Sequence, residues 1–341
     1  EAPGEAAVGS GAAVGCVACV RCGLRRPVWP WLGGSVDLYW QPGADGRYRD
    51  QVEQHSRLIT SEADWGTRVA VDREALGARQ EAEYLRLERG YHPAALAYAR
   101  YYHDFTKELV AGQIRRHLRG RQRATLLELG CGHGLMAPFL LRRLGQGVDV
   151  DYLMTDIAED SFRRCADHFG RVGFDPARVT ALAANGECLP LPDESVDVVF
   201  LMEAIEHFER PHAGFREFHR VLRPGGLCLV TTPRPSQSYY WVRLGLLGRL
   251  LPYRGFANHL MADFSICDEN FHKYIHHTGF VERTRRFHNV VWPLLQDPLL
   301  RFLHFPAVVR LYAALNLRLL SRCLPLFRRA QFRVLEKPVC R

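Results

Sequence analysis

Glycines and an acidic side chain follow an apolar run near the middle of the chain, in a pattern typical of a ligand-binding turn. The run ATLLE ends in Glu128 and continues through Gly130, Gly132 and Gly134 into the helical pattern of residues 135–143. Glycine has no Cβ, so a turn of this kind lets the backbone approach a ligand closely. The order Glu-x-Gly-x-Gly-x-Gly differs from the Gly-x-Gly-x-x-Gly of dinucleotide phosphate loops. Because the carboxylate of Glu128 would repel a pyrophosphate, the turn predicts a ligand with positive or hydroxyl groups.

A second acidic side chain, Asp156, ends the next apolar run, 28 residues after Glu128. In a doubly wound sheet, an acid at the end of the second strand can accept hydrogen bonds from both hydroxyls of a ribose. The two carboxylates together therefore favour a ligand with a ribose, whereas the alternative is a glycine turn that serves packing alone.

A third group of polar side chains follows a later apolar run, where Glu203, Glu206 and His207 are spaced i, i+3 and i+4. On a helical turn this spacing places the three side chains on one face. Two carboxylates and an imidazole on one face would suit a divalent cation.

The elements that must position these side chains begin near residue 124, where short β-type runs start to alternate with helical stretches. In chain order these runs are ATLLELG, MAPFLLRRL, VDYLMTDI, EDSFRRCADHF, VTALAA, VDVVFLM, AGFREFHRVL and LCLVTTP. Such alternation predicts an α/β fold, with a parallel sheet and helices on both of its faces. We therefore divide the chain into three parts: a flexible start at residues 1–40, a helical extension at 41–120 and the α/β domain at 121–341.

The balance of residues in the 341-residue chain, 47% hydrophobic and 24% charged, is typical of a folded globular protein. Its net charge of +8 is unevenly placed, since residues 281–341 hold twelve basic and three acidic side chains, a net +9. The rest of the chain, with 33 basic and 34 acidic residues, is nearly neutral. This distribution excludes a nucleic-acid coating over the whole protein, and we expect no DNA partner.

Cysteine usage and hydropathy favour a reducing compartment. Seven of the ten cysteines are scattered singly, which is typical of small core side chains rather than a secreted disulfide framework. No stretch reaches the ~18 uncharged apolar residues that a membrane helix needs. We expect a cytoplasmic protein, with peripheral membrane contact as an open alternative.

Four separated motifs closely resemble, in order and spacing, those of class I S-adenosylmethionine-dependent methyltransferases of the methyltransferase type 11 kind. They are LLELGCGHG (126–134), the strand end at Asp156, ANGECLPLPDESVDVVFLMEAIEHF (184–208) and REFHRVLRPGGLCLVTTP (216–233). FRVLEKP (332–338) is similar to the closing strand of the family. The resemblance implies a doubly wound, Rossmann-like sheet of seven strands, one of them antiparallel, and S-adenosyl-L-methionine as the cofactor. It also implies eight cofactor-binding residues: Glu128, Gly130, Gly132, Gly134, Asp156, Asn185, Gly186 and Met202.

The resemblance also implies a role for each of these residues. Glu128 and the three glycines would surround the methionine and ribose parts of the cofactor, and Asp156 would hold the ribose hydroxyls. Asn185 stands where the family often has Asp beside the adenine, and an amide can still serve that edge. Gly186 and Met202 would line the same pocket.

The segment from Glu203 to His207 resembles the Glu-x-x-Glu-His element of metal-dependent ubiquinone-pathway O-methyltransferases and of small-RNA 2′-O-methyltransferases. The resemblance implies a divalent cation such as Mg²⁺ at Glu203, Glu206 and His207, with His259 as a further ligand. A metal there would bind an acceptor hydroxyl and lower its pKa. Many family members carry a similar Glu-His step without a metal, and in that alternative His207 is our candidate general base.

Three cysteines near the start, Cys16, Cys19 and Cys22, form a possible zinc site. The piece CVRCGLRRPVWPWLGGSVDLY resembles the second knuckle of a zinc-ribbon module that is often fused ahead of such methyltransferases. A structural zinc needs four ligands, and this part of the chain supplies only three cysteines. We therefore favour a metal-free remnant over a bound zinc.

Two insertions flank the sixth strand of the expected sheet. Residues 233–262 are aromatic and apolar, and they lie where the family commonly builds a lid over the acceptor. An ordinary packed helix is the alternative for this segment. Residues 289–328 form a helical insertion.

A helical wheel of the second insertion, started at Arg310, separates a cationic arc from an apolar one. Leu317 and Leu319 fall on the apolar arc, whereas Leu311 and Leu315 interrupt the cationic arc. A helix of this kind could rest on anionic lipid, or it could cap the domain and present its arginines to water.

We predict an enzyme that methylates a small, fairly apolar acceptor, at an oxygen of a lipid-like or aromatic metabolite. The cofactor's methyl group is already activated, so the main task of the protein would be to align the acceptor. An RNA 2′-O-methyltransferase is the alternative suggested by the basic C-terminal region. RNA binding would call for aromatic residues interleaved with lysines, and the chain has only three lysines. A non-catalytic binding module is a third alternative, against which the intact glycine turn and Asp156 argue.

Overall fold

The computed structural model describes residues 15–18, 25–28, 36–37, 93–145, 147–158, 160–208, 210–233, 268–288, 306–320 and 330–339. The strands in these stretches are β1 (Gly15–Ala18), β2 (Arg25–Val28), β3 (Val36–Asp37), β4 (Arg123–Leu129), β5 (Asp149–Asp156), β6 (Val179–Ala183), β7 (Val196–Met202), β8 (Leu222–Pro233), β9 (Val281–His288) and β10 (Ala330–Glu336). The α-helices are α1 (Pro93–His117), α2 (Met136–Leu144), α3 (Asp160–Val172), α4 (Pro211–Val221), α5 (Asp268–Thr278) and α6 (Pro306–Leu315). A π-helix (Asn316–Leu320) continues α6, and 3-10 turns span Pro176–Arg178 and Ile205–His207.

Seven strands between residues 123 and 336 form the predicted doubly wound sheet. Their order is β6-β5-β4-β7-β8-β10-β9. Strands β4 to β8 run parallel, and β10 runs antiparallel to both of its neighbours. The prediction of seven strands with one antiparallel strand is confirmed, and the two-residue strand β3 adds an eighth beside β6. Because the parallel strands share one direction, their carboxyl ends meet at a single edge, which carries the predicted site residues.

Helices cover both faces of the sheet, because its central strands are apolar on both sides. Every residue of β7 except the last is buried, as expected for a strand inside a parallel sheet. Ile114 of α1 and Phe169 of α3 belong to the core on one face, and Phe215 of α4 and Phe271 of α5 belong to the core on the other. The carboxyl edge is therefore held from both sides by packed helices.

The described part of the second insertion shows which side of the helix packs on the protein. Leu317 of the apolar arc is buried, whereas Leu319 of the same arc is exposed together with Leu311 and Leu315. The last five residues of this stretch adopt a π-helix.

Several sequence predictions fall outside the described residues. The predicted lid beyond Pro233 lies outside them, and so do Cys19, Cys22 and His259. Cys16 lies in β1, which pairs antiparallel with β2. In the stretches that the structure describes, no helix combines the length and the hydropathy that crossing a bilayer requires.

Candidate functional site

The glycine turn between β4 and α2 adopts a conformation in which side chains do not fit. Gly130, Gly132 and Gly134 all have positive φ, between 52° and 67°. A Cβ on Gly130 would lie 2.6 Å from the Cβ of Ala204, and one on Gly134 would lie 2.8 Å from the Sγ of Cys165. Both distances are shorter than van der Waals contact allows, so the turn exposes backbone to any ligand above it.

Glu128 ends β4 directly beside this turn, and it is buried. Its Oε2 accepts a hydrogen bond of 2.6 Å from the hydroxyl of Tyr152 on the neighbouring strand. Burial raises the pKa of Glu128 to about 8, although the hydrogen bond from Tyr152 opposes the shift. The carboxyl group is therefore largely protonated near neutral pH, and a cation placed beside it would favour the carboxylate.

Asp156 at the end of β5 is buried and tied to two backbone N–H groups. Its Oδ2 accepts from Gly132 and its Oδ1 from Ala158, each at 2.9 Å. Burial raises the pKa of Asp156, and these two backbone hydrogen bonds work against the shift. The N–H of Cys131 also donates to the carbonyl of Thr155 at 2.9 Å, so the glycine turn is fastened to the end of β5.

Asn185 and Gly186 follow β6 at the same edge. Asn185 Oδ1 accepts a hydrogen bond of 2.9 Å from the N–H of Glu187. A Cβ on Gly186 would lie 2.4 Å from the Cζ of Phe208, so packing alone requires a glycine here. This packing role stands beside the cofactor contact that the resemblance implies.

The exit of β7 carries a strained residue held by two hydrogen bonds. Met202 is partly exposed at the strand end, and Glu203 follows it with φ of +52°, a left-handed conformation that is uncommon outside glycine. The N–H of Glu203 donates to the carbonyl of Thr231 at 2.9 Å. The Oε1 of Glu203 accepts a hydrogen bond of 2.8 Å from the hydroxyl of Tyr102 on α1. Backbone strain of this kind clusters at functional sites.

The next residues form a 3-10 turn, Ile205–His207, which does not include Glu203. The prediction that Glu203, Glu206 and His207 share one helical face is therefore wrong, because Glu203 precedes the turn in a left-handed conformation. Glu206 is buried, and its Oε2 accepts a hydrogen bond of 3.0 Å from the hydroxyl of Thr232. His207 is partly exposed.

No group of three or more His, Cys, Asp or Glu side chains is arranged to hold a metal ion in the described part of the chain. The side chains of Glu203 and Glu206 instead accept hydrogen bonds from hydroxyls on different elements. His259 lies outside the described residues, so the divalent-cation site stays a prediction.

Three residues that contact the predicted site were not singled out from the sequence: Tyr102, Tyr152 and Thr232. Tyr152 lies four positions before Asp156 in β5, so strand alternation alone would place both on one face of the sheet. Tyr102 lies 101 positions from Glu203, and only the packing of α1 brings the two together. Thr232 offers no local signal either.

Three further polar side chains are buried on the strands beyond β7: Thr231, His288 and Gln331. Among the described residues, the hydroxyl of Thr231, both ring nitrogens of His288 and the amide nitrogen of Gln331 have no hydrogen-bond partner. The ring of His288 stacks on Tyr102 at 5.6 Å, and burial lowers its pKa to about 3. The carboxyl edge beyond β7 therefore contains neutral polar atoms without a hydrogen-bond partner among the described residues.

Residues 127–230 match the protein family described as a methyltransferase domain. A "Probable S-adenosylmethionine-dependent methyltransferase" of Mycobacterium tuberculosis is 39% identical over 108 residues, covering 32% of this chain and 35% of that protein. Phthiotriol/phenolphthiotriol dimycocerosates methyltransferase 1 of Mycobacterium ulcerans is 36% identical over an alignment that covers 33% of this chain and 39% of that protein. The ubiquinone biosynthesis O-methyltransferase of Ruegeria pomeroyi is 33% identical over 175 residues, which cover 49% of this chain and 66% of that protein. The matches thus span from 35% to 66% of the length of these curated relatives.

A solved structure, that of the [4+2]-cyclase SpnF, aligns with a TM-score of 0.46 at 18% identity. The alignment covers 68% of this chain and 81% of that one. Similarity at this level carries no information about function.

Proposed function

The chain carries a class I S-adenosylmethionine-dependent methyltransferase domain, and from this premise we propose that it transfers a methyl group to an oxygen of a small, fairly apolar acceptor. The acceptor would be a lipid-like or aromatic metabolite. One arrangement carries the proposal: two buried carboxylates, Glu128 and Asp156, flank a glycine turn at the carboxyl edge of a parallel sheet. This edge is where doubly wound sheets bind nucleotides and related ligands.

The residues at this edge suit the chemistry of the cofactor. Each oxygen of Asp156 accepts one backbone hydrogen bond and keeps acceptor capacity for a ribose hydroxyl. Glu128 can supply a negative charge opposite a positively charged group. We assign the remaining contacts, as the family resemblance implies, to Gly130, Gly132, Gly134, Asn185, Gly186 and Met202.

When bound, S-adenosylmethionine supplies a methyl group that its sulfonium centre already activates. The protein itself would hold the acceptor oxygen in line with this methyl group and would accept the proton of that oxygen. We assign the role of general base, which accepts the proton of the acceptor oxygen, to His207. Its imidazole is partly exposed in the turn after β7. The hydrogen bonds of Glu203 and Glu206 to hydroxyls of other elements support the position of this turn.

The names of two relatives support the choice of acceptor. The Ruegeria pomeroyi protein is named as an O-methyltransferase, which supports an oxygen. The Mycobacterium ulcerans protein is named for phthiotriol/phenolphthiotriol dimycocerosates, which supports a lipid-related acceptor. The apolar composition of residues 233–262 agrees with both.

Calorimetric titration of the full chain with S-adenosylmethionine tests the cofactor part of the proposal. We expect binding, and we expect Glu128→Ala to weaken it by about tenfold or more, the loss of one charge-assisted interaction. Glu108→Ala is the matched control, because Glu108 is exposed on α1 away from the turn. An absence of binding, or equal affinity for the wild type and Glu128→Ala, would contradict the proposal.

Incubation with methyl-labelled cofactor and fractionated cell extracts tests the acceptor. Label in a lipid or phenol fraction, carried on an oxygen as an O-methyl group, is the expected result. His207→Ala should abolish most of the transfer while cofactor affinity stays unchanged. Label confined to protein would contradict the proposed acceptor class.

Two arginines of the basic C-terminal region are occupied by ion pairs, although the net charge of +9 already counts their acidic partners. Arg283 pairs with Glu336 at 2.7 Å, and the buried Arg333 pairs with Glu282 at 2.8 Å. These arginines are thus already balanced by carboxylates. Tight RNA binding with a steep dependence on salt concentration, together with label in the RNA fraction, would favour the RNA alternative.

Two metal sites remain predictions within this proposal: a divalent cation at Glu203, Glu206, His207 and His259, and zinc at Cys16, Cys19 and Cys22. Elemental analysis of the purified full chain measures both. Methyl transfer that is unaffected by a chelator and by Glu206→Gln would contradict the divalent cation.

A further inference from the structure

The outward side of α6 and the π-helix after it presents a row of exposed apolar side chains. Val308, Leu311, Leu315 and Leu319, here called the outer stripe, are 38%, 61%, 40% and 52% exposed. They are four of the seven large hydrophobic side chains that are exposed in the described part of the chain. Spacings of three and four residues place them along one side of the helix. An exposed apolar row of this kind is typical of a surface that binds a partner or a membrane.

Packing on the opposite side of α6 holds the outer stripe in this orientation. Val309 and Ala313 are buried in a cluster with Tyr102 of α1 and Ala330 of β10. A rotation of α6 that covered the outer stripe would expose these residues instead. Tyr102 also donates the hydrogen bond to Glu203, so a single helix separates α6 from the turn at the exit of β7.

The charged side chains of α6 and the π-helix are all positive. Arg310 and Arg318 are exposed, and residues 306–320 contain no Asp or Glu. Arg310 keeps its charge while its side chain hydrogen-bonds to Tyr101. A symmetric dimer formed through α6 and the π-helix would bring arginines towards arginines, since these two segments supply no carboxylate. The partner that matches apolar side chains flanked by arginines is a bilayer with anionic headgroups.

We propose that the outer stripe docks the protein on the surface of an anionic lipid bilayer, with Leu311 and Leu315 at the level of the acyl chains and Arg318 among the headgroups. The inference rests on the proposed function for its purpose, since a lipid-like acceptor would be taken from that bilayer. Docking itself requires neither cofactor nor methyl transfer, so it can be measured alone.

Flotation of the full chain with lipid vesicles tests the apolar part of the proposal. We expect binding to vesicles of phosphatidylcholine with phosphatidylglycerol, and an affinity reduced about tenfold or more in the double variant Leu311→Ser/Leu315→Ser. Both leucines are exposed, so the thermal midpoint should stay the same. Val339→Ser is the matched control, since Val339 is 62% exposed beyond the other end of β10. It should bind vesicles like the wild type.

The charged part of the proposal is tested by Arg318→Gln. This variant should bind the anionic vesicles severalfold more weakly, because one arginine near a charged surface contributes about 1 kcal/mol, which is about fivefold in affinity. Arg119→Gln removes an exposed arginine at the opposite edge of the sheet and should change nothing. Vesicles of phosphatidylcholine alone should bind the wild type and Arg318→Gln equally weakly.

Three outcomes would overturn the proposal. They are no vesicle binding by the wild type, equal binding by the double leucine variant, and a dimer in sedimentation analysis that the leucine variant abolishes. The last outcome would make the outer stripe a contact between two copies. Titration of the same preparations with S-adenosylmethionine separates the two proposals, because lost cofactor binding with intact vesicle binding contradicts the proposed function alone.

Discussion

Two tyrosine–glutamate hydrogen bonds mark the two halves of the carboxyl edge, and they are built differently. After their proposed roles, we call the ends of β4, β5 and β6 the cofactor half, and the ends of β7, β8 and β9 with the start of β10 the acceptor half. In the cofactor half, Tyr152 of β5 donates to Glu128 of the adjacent strand β4 at 2.6 Å. In the acceptor half, Tyr102 of α1 donates to Glu203 after β7 at 2.8 Å. The first bond joins paired strands that any α/β sheet would bring together. The second depends on how one helix packs over the edge.

The carboxyl groups of the two halves are held differently. In the cofactor half, backbone N–H groups donate to both oxygens of Asp156. In the acceptor half, hydroxyls of Tyr102 and Thr232 donate to Glu203 and Glu206. Buried polar atoms without a hydrogen-bond partner among the described residues occur in both halves: the hydroxyl of Ser161 after β5, and atoms of Thr231, His288 and Gln331.

The largest expected effect tests the rigidity of the cofactor half. In Gly130→Ala the new Cβ would lie 2.6 Å from that of Ala204, at a φ of +67°. We expect the free energy of unfolding to fall by about 2–4 kcal/mol and cofactor binding to be lost. Gly120→Ala is the matched control, because its φ is +80° but no atom lies within 4 Å. It should cost about 1–2 kcal/mol. Urea denaturation measures both, and equal losses would mean that the turn is not tightly packed.

The next test concerns the acceptor half and compares the stability of the wild type and His288→Phe at acidic pH. Burial lowers the pKa of His288 to about 3, below the usual value of 6.5. A group whose pKa is depressed by folding destabilises the protein as pH falls from the unfolded value towards the folded one. At pH 5 we expect this cost to reach about 2 kcal/mol in the wild type and to vanish in the variant. Urea denaturation at about pH 7 and pH 5 measures this loss of unfolding free energy in both proteins. Parallel losses in the two proteins would show that His288 does not titrate as a buried group.

A smaller effect of pH distinguishes the cofactor half. Burial raises the pKa of Glu128 to about 8, so binding of a cationic cofactor must release a proton at lower pH. We expect the affinity of the wild type to fall by up to about tenfold for each pH unit below 8, and that of Glu128→Gln to change less. Without cofactor, the sign for stability is opposite. The wild type should lose stability relative to Glu128→Gln as pH rises from the ordinary value of 4.5 through 8, because the carboxylate is disfavoured when buried.

The contrast between the halves also explains what the sequence could predict. The run MAPFLLRRL gives the bounds of α2, Met136–Leu144, because the glycine turn and the helical period are both local signals. The conformation of Glu203 has no local signal, since hydrogen bonds from Tyr102 and to Thr231 hold it. The helical face predicted for the Glu-x-x-Glu-His element failed for that reason.

The eighth strand shows the same limit of sequence prediction. β3 contains two residues and is defined only by its pairing with β6. This pairing is a contact between distant parts of the chain, which hydrophobic periodicity does not report.

The two tyrosines provide the smallest and most specific test of the comparison. Tyr152→Phe and Tyr102→Phe each remove one hydroxyl that donates to a glutamate, at a cost of about 1–2 kcal/mol. We expect Tyr152→Phe to weaken S-adenosylmethionine binding severalfold with little change in the KM for the acceptor. We expect Tyr102→Phe to lower kcat while cofactor affinity stays at the wild-type value, because it acts through the turn that carries His207. Calorimetric titration and steady-state kinetics separate the two effects.

Each tyrosine variant serves as the control for the other, since both remove the same atom from a hydrogen bond to a carboxyl group, which is buried for Tyr152 and partly buried for Tyr102. A general loss of stability would lower the activity of both in the same way and leave no difference between affinity and turnover. If Tyr102→Phe weakened cofactor binding as much as Tyr152→Phe, the two bonds would belong to one cooperative network. The division of the edge into two halves would then be wrong, because α1 would organise the cofactor half as well.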